Sequence, residues 1–424
     1  MAVSGGEGTH GARAALTVLV AVVALAFARP GLAAETTEGP AAGTLAGALF
    51  GGTPWLDARY RFEHVEQDGL PRDADANTLR LRLGYRTGAF HGVSVLVEGE
   101  LLRHLGDDSF NDTLNGKTGH PVVADPDAEE INQAYLAFAG PAQTTARFGR
   151  QRFVLDNQRF IGDVGFRQNQ QTFDGFTITS GLVPDLEATY GYLFEAQRLF
   201  GDDSPAGDFD TDSHVFNLRY SGLKFARLSG YGYLLDIDDL PTASTLTVGL
   251  RLDGSYGLGA DVALLYEGEA ARQFDYADNP ADYDLGYYLA AAGLRYRGLT
   301  GKLGIEILEG SGAQGFQTPF ATLHKFQGWA DKFLVTPSGG IEDLQVSLSY
   351  LIKARAWLDG LTMSAVYHHF SANSGGGDYG DEIDLEAVMP LFKHFSLGLK
   401  YADYRADGFA TDTKKFWLTL QARF

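Results

Sequence analysis

The stretch Thr78–Arg86, TLRLRLGYR, sets Arg80, Arg82 and Arg86 on one face of an extended strand. Leu79, Leu81, Leu83 and Tyr85 fall on the other. Arginine keeps its charge at ordinary pH and presents a planar fork that matches a carboxylate. A row of such forks on a wet wall passes an anion along, provided none holds it tightly. The same alternation places Arg59, Arg61, Arg219, Arg251 and Arg295 in equivalent positions, with Arg423, Lys302 and Lys400. Carboxylates share that face: Asp57, Glu63, Glu98, Glu100, Glu267, Glu269, Glu306, Glu382, Asp384 and Glu386. Opposite charges on neighbouring strands are common ladder partners. Each arginine therefore has two duties open to it, meeting a solute or bracing the wall. Arg150 and Arg152 share a face with Phe148, which points to a bulge or to the rim.

Other chemistries are poorly supplied. His368 and His369 are adjacent, so on a strand they point to opposite faces and share no metal. No grouping of Ser, His and acid stands out as a hydrolase site. The acid is clustered in GDDSFND from Gly106, GDDSPAGDFDTD from Gly201, DYADNPADYD from Asp275 and GDYGDEID from Gly377. Oxygen-rich loops of this kind bind Ca²⁺ or bridge lipopolysaccharide, but none has the ligand spacing of an EF-hand, which favours a plain solvated surface. A net charge of -20 excludes a surface-wide basic field for nucleic acid. Beyond that Ca²⁺, no cofactor is expected.

The elements that position these residues are strands. Alternating runs recur from Leu56 to Phe424, for example Leu186–Phe194, Leu246–Leu252 and Phe416–Phe424. The count is about eighteen, an even number, as in bacterial transmembrane barrels. Long or polar connections near 66–77, 103–129, 154–171, 195–212, 271–286, 309–342 and 371–380 alternate with tight ones. The tight ones lie near 87–92, 140–144, 180–185, 221–224, 256–260, 297–300 and 390–394. That parity follows from up-and-down threading and has no cause in a sandwich. The fold class is therefore all-β, a transmembrane antiparallel barrel with lipid outside and an aqueous channel inside. Tyr60, Phe62, Tyr85, Tyr192, Phe194, Tyr220 and Tyr401 suit its interfacial girdles.

The N-terminus reads as an export leader. Ala14–Phe27 is apolar but short for a bilayer span, and Gly31-Leu32-Ala33 offers the small residues of a cleavage site. We expect a signal peptide over 1–33, a periplasmic lead over 34–54 and the barrel over 55–424. The ending KFWLTLQARF puts an aromatic last on the apolar face, which resembles the signal read by the barrel assembly machinery.

Two segments resemble the alginate-export family of outer-membrane barrels: GRQRFVLDNQRFIGDVGFRQNQQTFDGF (Gly149–Phe176) and PFATLHKFQGWADKFL (Pro319–Leu334). The resemblance implies a non-enzymatic conduit in the bacterial outer membrane. Its arginines would compensate the carboxylates of an anionic polysaccharide or oligosaccharide. On the matching motifs, Arg150, Arg152, Arg159, Arg167 and Asp174 become pore or constriction candidates. Lys325, Trp329, Asp331 and Lys332 would sit in a long external loop. That loop either folds toward the pore or packs on itself as a cap around Phe326 and Trp329. A general or small-solute porin and a plugged structural barrel are the rival functions. If Arg80 and Arg82 face open water, replacing both by Ala lowers anion over cation permeability in planar bilayers. An unchanged reversal potential means that neighbouring carboxylates already neutralise them.

Overall fold

The computed structural model describes residues 43–353 and 357–424. The leader expected at 1–33 and the first part of the lead lie outside the described residues.

Eighteen strands form one closed antiparallel sheet. They are β1 (Thr53–Gln67), β2 (Ala74–Arg86), β3 (Val93–His104), β4 (Ala128–Ala139), β5 (Thr145–Gln151) and β6 (Thr172–Val183). Next come β7 (Leu186–Gln197), β8 (Asp208–Tyr220), β9 (Ala226–Leu235), β10 (Thr245–Gly257), β11 (Val262–Asp275) and β12 (Asp284–Tyr296). The last six are β13 (Leu299–Leu308), β14 (Ile341–Leu351), β15 (Thr362–Ser371), β16 (Asp378–Phe392), β17 (Phe395–Ala406) and β18 (Thr413–Arg423). Each strand pairs with its sequence neighbour, and β1 pairs with β18 to close the cylinder. At this seam Leu56 and Phe424 exchange two backbone hydrogen bonds of 3.1 and 2.9 Å.

Alternation sorts the side chains as hydrocarbon requires. Leu250 on β10 is 71% exposed and Leu303 on β13 57%, whereas Arg80 is 2% exposed and Arg82 9%. The outward row is the lipid-facing one, because an arginine there would meet hydrocarbon. Connections keep the expected parity, with turns as tight as 184–185, 297–298 and 393–394 on one rim and the long loops on the other. The first external connection is shorter than expected, only 68–73, because β1 and β2 extend further. One further short helix, α1 (Leu45–Phe50), precedes β1. Its carbonyls accept from Gly88 N and from the Tyr85 hydroxyl, so Tyr85 is covered by this helix and is not a free girdle residue.

The lumen departs from the expected open channel. Loops 152–171 and 309–340 fold inward and bring apolar side chains with them. Phe160, Ile161, Phe316, Phe320, Ala330 and Phe333 form one buried core with Phe173, Tyr231, Tyr233, Tyr287, Phe370, Tyr404 and Trp417 of the wall. These wall residues stand near the external ends of their strands, so the outer half of the lumen is packed and the periplasmic half is left open. Two of its buried phenols are satisfied by wall carboxylates: Tyr231 donates to Glu269 and Tyr287 to Glu306, both at 2.7 Å.

The outward assignment carries a test. Replacing Leu250 by Arg should destabilise the barrel by roughly 2–4 kcal/mol near the bilayer midplane, measured by reversible unfolding in lipid vesicles. Ser255→Arg, exposed on the lumen face of the same strand where water remains, should cost much less.

Candidate functional site

The site grows from a short strand. β5 ends at Gln151, and the chain then leaves the wall and enters the barrel. Asp156, Gln158 and Val164 adopt positive φ, which folds loop 152–171 into a compact insert. Arginines of β1 and β2 hold it by its backbone. Arg59 Nε donates to Gln168 Oε1 (2.7 Å), Nη1 to the Gly165 carbonyl (3.1 Å) and Nη2 to the Arg167 carbonyl. Arg82 pairs with Glu100 and donates to the Gln168 carbonyl (3.3 Å). Arg80 is spent on Asp57 at 2.6 Å. Arg61 lies over the Phe166 ring, 4.3 Å from its centroid.

The loop's own arginines pair with carboxylates of the wall, of neighbouring loops and of the loop itself. Arg167 meets Glu63 (2.9 Å), Asp125 (3.6 Å) and Asp331 (3.4 Å). Arg159 meets Glu306 at 3.0 Å and lies over Phe326. Arg152 pairs with Asp163 inside the loop. Arg219 binds Asp156 (3.1 Å) and Glu187 (3.2 Å), and Arg251 binds Glu267 and Glu269. Most of the arginines expected to line the pore are thus members of a frame.

Two candidates need correction. Arg150 forks onto Asp174, with Nη2 2.9 Å from Oδ2. The two are register partners, two residues along from the paired Phe148 and Phe176, which are exposed on the outer wall. They therefore lie on the outward side of their strands, off the lumen surface. The ambiguity at Phe148 arose because this face changes from lipid contact to an ion pair within two residues.

Loop 309–340 folds toward the pore, and its core is Phe316, Phe320 and Phe333 rather than Phe326 and Trp329. It is stitched to the first loop by Gly162 N to the Phe320 carbonyl (2.8 Å) and by Thr322, whose Oγ1 accepts from Asp163 N and Val164 N. The β16 carboxylates accept from its backbone: Glu382 from Ala330 N (2.7 Å) and Asp384 from Trp329 N (3.2 Å). Lys325 donates to the Asn157 carbonyl and Lys332 to Gln67. Asp331 is the hub, contacted by His324 (2.6 Å), Lys415 (2.7 Å) and Arg167. Burial would push the Asp331 carboxyl up, but His324, Lys415 and Arg167 outweigh it and hold it well below the usual range. Burial lowers the Lys332 ammonium to about 8, helped by nearby Lys415.

Beneath this plug lies a polar cavity of about 720 Å³. Arg86, Arg147, Arg152 and Arg219 line it against only two carboxylates, Glu98 and Glu187. Trp55, Tyr135 and Phe153 add aromatic surface. Arg147 lies 5.4 Å from the Tyr135 centroid. Arg86 and Arg147 have no hydrogen bond or ion pair from their side chains among the described residues. Arg295 likewise stands exposed and unpaired near the periplasmic end of β12. Arg147 escaped the sequence reading, although its alternation with lipid-facing Phe148 marks it as inward. Hydroxyls and amides stand beside the free guanidinium forks, a lining of the chemistry that meets carboxylates. Among the described residues, no group of three or more His, Asp or Glu is placed to hold a metal ion.

Comparison with known proteins places this arrangement. Among solved structures, the chain is similar to Pseudomonas aeruginosa OpdK in complex with vanillate (TM-score 0.71, 16% identity, 88% of this chain and 98% of that one). It is also similar to P. aeruginosa OccK9, or OpdG (TM-score 0.72, 15% identity, 88% and 98%). Acinetobacter baumannii OccAB4 is a third (TM-score 0.69, 16% identity, 88% and 98%). At these identities the likeness is one of fold. No curated protein matches the chain by sequence. The family model described as alginate export matches residues 54–375. The chain is an outer-membrane β-barrel that belongs to the alginate-export family.

Proposed function

We propose that this barrel is a passive, anion-favouring channel of the bacterial outer membrane whose solute is an acidic polysaccharide or oligosaccharide. The observation that carries the proposal is the vestibule of about 720 Å³, with four arginines against two carboxylates. Arg86 and Arg147 are the working pair, since their forks are free to meet a carboxylate. Arg59, Arg80, Arg82, Arg159, Arg167 and Arg251 set the frame instead, because their nitrogens already serve protein acceptors. Lipopolysaccharide outside and the barrel assembly machinery during insertion are the partners this reading adds. It involves no covalent chemistry, cofactor or nucleic acid.

A general or small-solute porin is the second reading. It is favoured by the packed outer half of the lumen, which leaves a polymer less room than an open cylinder.

Conductance in planar bilayers separates these possibilities. Arg86→Gln with Arg147→Gln should lower anion over cation permeability several-fold, read from the reversal potential in a salt gradient. Arg80→Ala with Arg82→Ala should chiefly loosen the plug, seen as noisier current. A uronate oligomer added on the periplasmic side should block the small-ion current of the wild type. A current untouched by that oligomer, with anion preference retained, would leave the small-solute porin.

A further inference from the structure

A second cavity lies in another sector of the lumen, between Phe166 of the inward loop and the wall formed by β16, β17, β18 and β1. Its volume is about 180 Å³. Arg61 and Lys400 line it, with the Ser396 and Thr419 hydroxyls as neutral donors, and Glu386 is the one carboxylate among its described lining residues. We propose that this cavity holds one small carboxylate or oxyanion, taken by Arg61 and Lys400 as a resident counter-ion that pins the plug to the wall.

The charges around Arg61 favour such a group. The residue is 3% exposed, and its Nε and Nη1 are buried without a partner. Its neighbour Arg59 spends its fork on neutral oxygens, the Gln168 amide and two carbonyls. Nearby carboxylates are committed elsewhere: Asp57 to Arg80, Gln421 and Arg423, Glu100 to Arg82, Glu63 to Arg167, and Asp125 to Arg167 and the Gln168 N–H. Among the described residues no carboxylate is ion-paired to either of these two buried guanidinium groups, and Asp125 and Glu63 offset only part of their charge from further away. Burial of an uncompensated charge is strongly unfavourable, and an anion in the adjoining cavity removes the penalty. Lys400 brings a third cation to the same wall, its Nζ 2.8 Å from His324 Nε2 and 3.6 Å from the Trp329 centroid. Space of this size suits a phosphate or an acetate with part of its hydration. Because Phe166 lies under the Arg61 fork, an anion here ties loop 152–171 to β16–β18, a wall its arginines do not otherwise reach.

The inference does not depend on which solute the channel carries. Its test is a binding measurement on the purified barrel in detergent, so its failure is separable from failure of the permeability experiments. Thermal unfolding is followed at fixed ionic strength while inorganic phosphate, or acetate in a second arm, replaces a bulky organic sulfonate. Ligand that binds only the folded state raises the midpoint in a saturable way. The wild type should show that rise, Arg61→Gln should lose it, and Glu386→Gln should reach half-saturation at a several-fold lower concentration. A response to phosphate alone assigns the site to free oxyanions. A response to both extends it to the carboxylate of a solute. If Arg61→Gln fails to fold, Glu386→Gln and Lys400→Gln carry the test in opposite directions. No rise in the wild type, or the same rise and half-saturation in all variants, overturns the proposal.

Discussion

Hydrocarbon offers no partner to a charge or to a backbone N–H, and the architecture follows from that refusal. A sheet in lipid must close, because an open edge would strand a row of donors and acceptors. Closure forces every strand to divide its side chains between two solvents. The leucines of β2 go to one and its arginines to the other. The penalty for reversing them, roughly 2–4 kcal/mol per arginine near the midplane, also fixes the register, since a one-residue slip exchanges the faces.

Having driven charge inward, the fold must then neutralise it. In bulk water a lumenal arginine would need no partner. Here the inward loops expel water from the outer half, and the effective dielectric falls. Each buried guanidinium must find an acceptor, because one left unpaired costs several kcal/mol. Carboxylates on adjacent strands meet part of the demand, as Glu100 does for Arg82. The carbonyls of loop 152–171 meet another part, as they do for Arg59. The plug and the arginine wall therefore stabilise one another. Below the plug, where water remains, Arg86 and Arg147 stay unpaired at little cost. The division of labour among arginines that look equivalent is thus set by depth.

Periodicity made the wall legible from the residues alone. Eighteen strands, the sidedness of TLRLRLGYR and the alternation of long and tight connections all rest on a repeat of two, which local sequence carries. The plug was not legible in that way. Phe160, Phe316, Phe320 and Phe333 sit in irregular segments, and nothing in their spacing says that they fold back into a cylinder formed by strands far away. Likewise nothing in the local sequence singles out Tyr231, Tyr287 and Trp417 until the inward loops give them neighbours. The family resemblance pointed to the right two segments, but their roles came from geometry: Arg167 holds the loop, whereas Arg150 and Asp174 pair off the lumen surface. Arg147 was accessible to the alternation rule, because it alternates with Phe148.

The seam between β1 and β18 has a consequence for assembly. Its two strands are separated by nearly the whole barrel sequence, so their pairing closes the largest loop in the molecule. A growing sheet must therefore travel with two bare edges, each able to template a stranger. The plug loops cannot anchor properly in the interval, because Glu63 and Lys415, which grip them, sit on those same two edges. Ordering of the interior thus waits on closure of the wall, and a chain halted before that step is an adhesive, unplugged ribbon.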